Sequence, residues 1–287
     1  MTRKSTLTVV LGSIVAFGLV LFILFTPQGV HFYGEVLFAD RDTEAHEPTD
    51  YPTLIGEAKI ARTLPLPAAI AQPSGIDYDE ANDRFLVVTD QAEIFEVSAD
   101  FRTVISSKVM SAQPLFFRQG TIESADYSEG QLYVSGDSGE LQTWSREDNG
   151  WSRTKTVAAP SDLGAEGMAV HPDTGRIYVG EDDAIHVLDK DGKFSKTLKL
   201  EAETKPGRSL SEYSIAGLDF HGETLYAVTE YHSAILAIDP DSGAIEDSWA
   251  LHGITEGAGL VVTDDTFYVV VDHELTEPRP GVKAYPR

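Results

Sequence analysis

The sequence predicts an all-β fold, a five-bladed β-propeller behind one N-terminal transmembrane helix, and three observations carry that expectation. The first is a phrase that occurs five times: PSGIDYDEANDRFLVVTD, IESADYSEGQLYVSGD, AEGMAVHPDTGRIYVGE, IAGLDFHGETLYAVTE and EGAGLVVTDDTFYVVVD. Each copy is a small-residue turn, an apolar strand, a tight turn and a second apolar strand closed by Asp or Glu. Aligned on Gly75, Ser124, Gly167, Gly217 and Gly257, the copies stand 49, 43, 50 and 40 residues apart. A period of about 40–50 residues with four strands per unit is that of a propeller blade. The second observation is an uncharged apolar run over 6–26. The third is a strand-like segment over 57–64 that belongs to no blade in sequence order.

In chain order, 6–26 reads as a membrane-crossing helix about 30 Å long at 1.5 Å per residue. Arg3 and Lys4 precede it, so the positive-inside rule leaves residues 1–26 as a cytoplasmic stub plus signal-anchor helix and exports the rest. In a bacterium this means a single pass through the inner membrane with the C-terminal domain in the periplasm. A cleaved signal peptide is the competing reading; the long apolar run and the lack of a nearby small-x-small site argue against it. Residues 27–53 form an acidic, proline-bearing tether. The propeller domain occupies 54–287.

Alternation and turn signals divide that domain into strands a to d of each blade. Blade one takes 76–78, 85–89, 93–98 and 103–109; blade two 122–127, 131–135, 140–145 and 151–157. Blade three takes 168–170, 176–179, 184–188 and 194–200; blade four 218–220, 224–229, 234–238 and 244–251. Blade five has 258–262, 266–271 and 281–285, and lacks a fourth strand. If 57–64 supplies it, the ring closes and no sheet edge stays open there. A six-bladed ring is the alternative, but it needs about 45 further residues, one more blade period. Asp189-Lys-Asp-Gly192 and Asp239-Pro-Asp-Ser-Gly243 fall where hairpins reverse; they are read as Asx turns rather than calcium loops, because the remaining EF-hand spacing is missing.

All 46 acidic residues lie after the helix, with only 20 of the 22 basic ones, so the exported part has a formal charge of −26. Such a surface repels nucleic acid and attracts cations. Without cysteine, no disulfide supports the fold and no thiolate metal site exists. There is no GxSxG elbow, P-loop, dinucleotide fingerprint, HxH or HExxH.

The candidate chemistry lies in recurring acids. Strand a enters from one face and strand b returns to it, so residues just before a and at the end of b share one channel mouth. Glu123, Glu166 and Glu256 stand before strand a; Asp90, Asp137, Glu181, Glu230 and Asp272 end strand b. Like charges 5 Å apart cost about 3 kcal/mol at an effective dielectric near 20. Eight carboxylates at one mouth therefore call for a cation, for shared protons or for escape to solvent. Hard oxygen donors favour Ca2+ over zinc or copper. A small-molecule or protein ligand is expected at the same face.

The phrases PSGIDYDEANDRFLVVTDQAEIFEVS, GAEGMAVHPDTGRIYVGED, IAGLDFHGETLYAVTEYHSAILAID and TEGAGLVV resemble the SdiA-regulated family of bacterial envelope proteins over most of 70–275. Glu166-Gly167 and Glu256-Gly257 carry the E-G-hydrophobic start, whereas IES at Glu123 departs from it. The resemblance implies a five-bladed propeller, distantly similar to NHL-repeat proteins, with a bound calcium ion, which the placement of the recurring acids puts near Glu123, Glu166 and Glu256. Two functions follow as expectations: a calcium-binding module for a ligand or partner, or a calcium-dependent hydrolase of lactones, esters or phosphoesters.

Overall fold

The strands pair into five separate antiparallel hairpin stacks, one per repeat. The computed structural model describes residues 56–110, 122–136, 140–148, 150–158, 165–181, 184–200, 214–229, 234–254, 257–271 and 280–287. The expected anchor helix and the whole of the expected tether lie outside the described residues. Among the described residues no helix is long and apolar enough to cross a membrane.

Blade one consists of Pro73–Asp79, Arg84–Thr89, Glu93–Ser98 and Val104–Val109, here strands a to d. Blade two has Ile122–Ser128, Gln131–Gly136, Glu140–Glu147 and Gly150–Ala158. Blade three has Gly167–Val170, Ile177–Glu181, Ala184–Leu188 and Phe194–Lys199. Blade four has Ile215–His221, Thr224–Thr229, Ala234–Ile238 and Ile245–Leu251; blade five has Gly259–Val262, Thr266–Val271, Gly281–Pro286 and Arg62–Pro65. The ring is five-bladed, and the six-bladed alternative falls.

The closing strand is the expected one, though shorter. Arg62–Pro65 pairs antiparallel with Gly281–Pro286, with Arg62 opposite Ala284 and Leu64 opposite Val282. The first part of the predicted 57–64 segment goes elsewhere: Gly56–Ala58 adds a parallel fifth strand to blade four, Glu57 opposite Ala250. One stretch of chain thus stitches two blades, with Ala61 N–H donating to Ala284 O at 2.8 Å between them.

The ring forms because each b strand is apolar on both faces. Arg84–Thr89 is buried at every position. Phe85 and Val87 pack with Val261, Val270 and Val282 of blade five, whereas Leu86 and Val88 pack with Leu132 and Val134 of blade two. A pleated strand points alternate side chains to opposite faces, so two apolar faces require two covering sheets. The same arrangement recurs between blades two and three around Met168 and Val179, three and four around Leu218 and Leu225, and four and five around Phe267 and Tyr285.

Inner strands meet at a ring of small residues. A Cβ on Gly75 would lie 2.7 Å from Ala125 N, one on Gly217 2.8 Å from Gly259 Cα, and one on Gly259 3.1 Å from Ile76 N. Ser124 and Gly167 complete the ring, Ser124 Oγ accepting the Met168 N–H at 2.9 Å. The fifth ring position is therefore Gly259, two residues beyond Gly257, where the repeat phrase aligns. The residue just before it is Ala258, which stands where blade three has Glu166.

Candidate functional site

The hairpin register puts the start of each inner strand beside the end of its b strand. Pro73 lies opposite Thr89, Gly167 opposite Gly180 and Ile215 opposite Thr229. Of the eight candidate acids, Asp90, Glu123, Glu166 and Glu181 lie at this end of their blades, all half-buried. Asp137, Glu230, Glu256 and Asp272 lie outside the described residues.

Two of the four have assigned work. Glu166 Oε2 accepts a hydrogen bond from Ser214 Oγ at 2.8 Å, joining blade three to the entry of blade four. Ser214 is buried and holds a left-handed backbone (φ 47°), which a non-glycine residue adopts at a cost. Glu181 reaches outward along its own blade to His186 Nε2 at 2.9 Å, and His186 Nδ1 meets Thr197 Oγ1 at 3.0 Å. Glu123 sits in an irregularity of register between Ile122 and Ser124, and the Asp90 N–H donates to Gln72 O at 3.1 Å. Among the described residues no three His, Asp or Glu side chains are grouped so as to hold a metal ion.

A second set of acids stands about three residues, or about 10 Å, further along the inner strands. Asp77, Asp126 and Asp219 each lie two residues beyond a ring position, on the side that faces the next blade. The inner edge of a propeller sheet carries alternate N–H groups with no strand to pair with, and these need acceptors. Asp77 Oδ2 accepts from Tyr127 N–H, Asp126 Oδ2 from Val170 N–H at 3.0 Å, and Asp219 Oδ2 from Val262 N–H at 2.6 Å. Blades three and five carry Ala169 and Val261 at this position and offer no carboxylate onward. There the receiving strand supplies its own: Tyr78 N–H donates to Asp77 Oδ1 at 2.6 Å, and Phe220 N–H to Asp219. Three carboxylates thus serve five edge N–H groups. Asp126 Oδ1 is buried and has no hydrogen-bond partner among the described residues.

Burial raises the pKa of Asp77 from 3.8 to about 7, against the lowering effect of its two backbone donors. Burial first, and then the charge of Asp77, pushes Asp126 well above the usual carboxylate range. Burial first, and then the charges of Asp77 and Asp126, push Asp219 well above the usual carboxylate range, against the lowering effect of its Val262 and Phe220 donors. The three line a cavity of about 800 Å3, with Tyr127, Phe220 and His221 on its wall. His221 Nε2 is 3.3 Å from Asp264. Beside the cavity, Arg84 binds Asp79 at 3.0 Å and Glu96 at 2.6 Å; Glu96 also accepts from Arg146 at 2.7 Å and Trp151 at 2.9 Å. This buried network joins blades one and two.

The aspartates were legible in the repeats as GID, SAD and GLD, a shared acid at a fixed offset. Attention to strand ends passes over them, because a residue in mid-strand looks like part of the pleat.

The family model described as "Phytase-like: Esterase-like activity of phytase" matches residues 69–259. It is not the SdiA-regulated family that the repeat motifs resemble, although the expected five-bladed propeller is the fold observed. No curated protein matches the chain. Among solved structures, glutaminyl cyclase from Myxococcus xanthus superposes with a TM-score of 0.60 at 16% identity, over 81% of this chain and 99% of that one. The WD40 repeats of RRP9 superpose with a TM-score of 0.48 at 10% identity, over 82% of this chain and 98% of that one. The glutaminyl cyclase likeness is one of fold.

Proposed function

The chain belongs to the phytase-like family, and from that premise we propose that it is a membrane-tethered, extracytoplasmic propeller that binds calcium at the mouth carrying its recurrent acids. Through that ion it holds a phosphate- or ester-bearing ligand. The observation that carries this reading is the shared end of the inner hairpins, where Glu166 and Glu181 flank the Gly167–Gly180 pair and the Asp90 N–H bonds back to Gln72. An anionic ligand meets a chain of net charge −24 and needs a bridging cation.

The donor set suits calcium in kind, since it consists of carboxylate oxygens with no thiolate. Glu166 and Glu181 already bond to Ser214 and His186, so holding the ion means exchanging those partners for it. Bound calcium would polarise an ester or phosphoryl oxygen. The protein's own part is to orient the ligand over the mouth. The family description, esterase-like activity of phytase, favours a second reading in which the ligand is hydrolysed.

The uncharged 6–26 run behind Arg3 and Lys4 supports an inner-membrane anchor with the propeller in the periplasm. Carbonate-washed bacterial membranes should retain the full chain and lose a form lacking 1–26. For the site, the detergent-solubilised full chain is titrated with Ca2+ by calorimetry and melted with and without chelator. It is then assayed on p-nitrophenyl acetate and p-nitrophenyl phosphate. Calcium heat with a raised melting temperature supports binding, and calcium-dependent turnover promotes the hydrolase. No heat and an unchanged melt would end the calcium reading.

A further inference from the structure

At the other end of the channel, three features describe a site that the recurrent acids do not. Asp126 is 6% exposed, its Oδ1 has no donor, and it lines the cavity of about 800 Å3. The wall there is acidic: Asp77, Asp126, Asp219, Glu80 and Glu129 face it in addition to the Arg84-bound Asp79. His221 is the one basic side chain among the described residues lining it, and it already lies against Asp264. Tyr78, Tyr127 and Phe220, which directly follow the three aspartates, give the wall aromatic surface.

We propose that this mouth binds an organic cation, a ligand whose protonated amines donate to Asp126 Oδ1 and to Asp77 and Asp219. Buried carboxylates in a low-dielectric wall bind a positive charge far better than exposed ones. A metal ion fits less well, because no three of these side chains are grouped closely enough to share one. A volume of about 800 Å3 is that of a small-molecule pocket. Ammonium groups reach carboxylates set apart from one another, each through its own N–H donors, and aromatic rings favour them by cation–π attraction. An anionic substrate finds no partner here. The inference is independent of calcium at the opposite mouth, since it uses other residues and another end of the strands.

Spermidine is the probe. The full chain in detergent is titrated calorimetrically at pH 8 in 150 mM salt with chelator present, so that calcium is excluded. One saturable site is expected, weakened at least tenfold in Asp126→Asn and in Asp219→Asn. The exposed Glu246→Gln should bind as the parent does. Both asparagine variants keep an oxygen for the Val170 or Val262 N–H, and a melt of each checks folding; either folded variant decides the matter. Absence of spermidine binding overturns the proposal. So does equal loss in Glu246→Gln, which marks non-specific attraction to an acidic surface. An Asp126-dependent heat with Ca2+ but none with spermidine overturns it in favour of a metal site.

Discussion

Asp77 illustrates what a buried carboxylate does when its partners are neutral. Two backbone N–H groups hold it, yet burial dominates and its pKa stands near 7. An acid raised in the folded state binds its proton more tightly there than in the unfolded chain. Its contribution to stability is full below the unfolded value and is lost as pH rises through the folded one. For Asp77 that window runs from 3.8 to about 7. Urea unfolding at pH 4 through 8 should show a decline in the wild-type chain that is shallower in Asp77→Asn. An equal decline in both would remove Asp77 as its source. The residue type at this position could be read from the sequence, but its role could not. Which N–H groups lack partners depends on the distance between neighbouring inner strands, and that is set by Gly75, Gly217 and Gly259 at the ring.

At the scale of the element, two joints between blades are open to test. Glu96, on a c strand, collects Arg84, Arg146 and Trp151 from two blades while fully buried. Removing one partner of such a group leaves the others with uncompensated charge. Glu96→Ala should cost about 3–5 kcal/mol in chemical denaturation. Gly217→Ala forces a methyl to within 2.8 Å of the Gly259 Cα, where backbone must move, and should cost about 1–3 kcal/mol by the same measurement. The repeat made the strands legible because alternating apolar residues mark a pleat. It did not fix register: the E-G phrase at Glu256-Gly257 suggested a ring position that belongs to Gly259. Likewise 57–64 looked like a single strand, and the structure divides it between blades four and five. Neither choice is decided locally, since each depends on which neighbouring edge is within reach.

For the whole molecule, charge is the property that sequence conveyed best and site geometry least. An excess of 24 negative charges says that cations are welcome and leaves open where. The structure separates two ends of one channel, one with acids already paired to Ser214 and His186, the other with an oxygen lacking any donor. If calcium binds the folded chain alone, stability rises with its free concentration as mass action requires. A hundredfold excess over the dissociation constant gives about 2.7 kcal/mol. Differential scanning calorimetry across a calcium series should therefore show a logarithmic climb in melting temperature, abolished by chelator. A flat series would remove calcium binding as the role of the recurrent acids.

The joint between Arg62–Pro65 and Gly281–Pro286 also orders events in time. Its first half leaves the ribosome well before its second half, so four sheets can assemble while the fifth waits for its mate. Contacts between such remote stretches are slow to form. The nascent domain must spend that interval with one side of its barrel-stave array unlatched, its interblade valines uncovered until the late strand arrives.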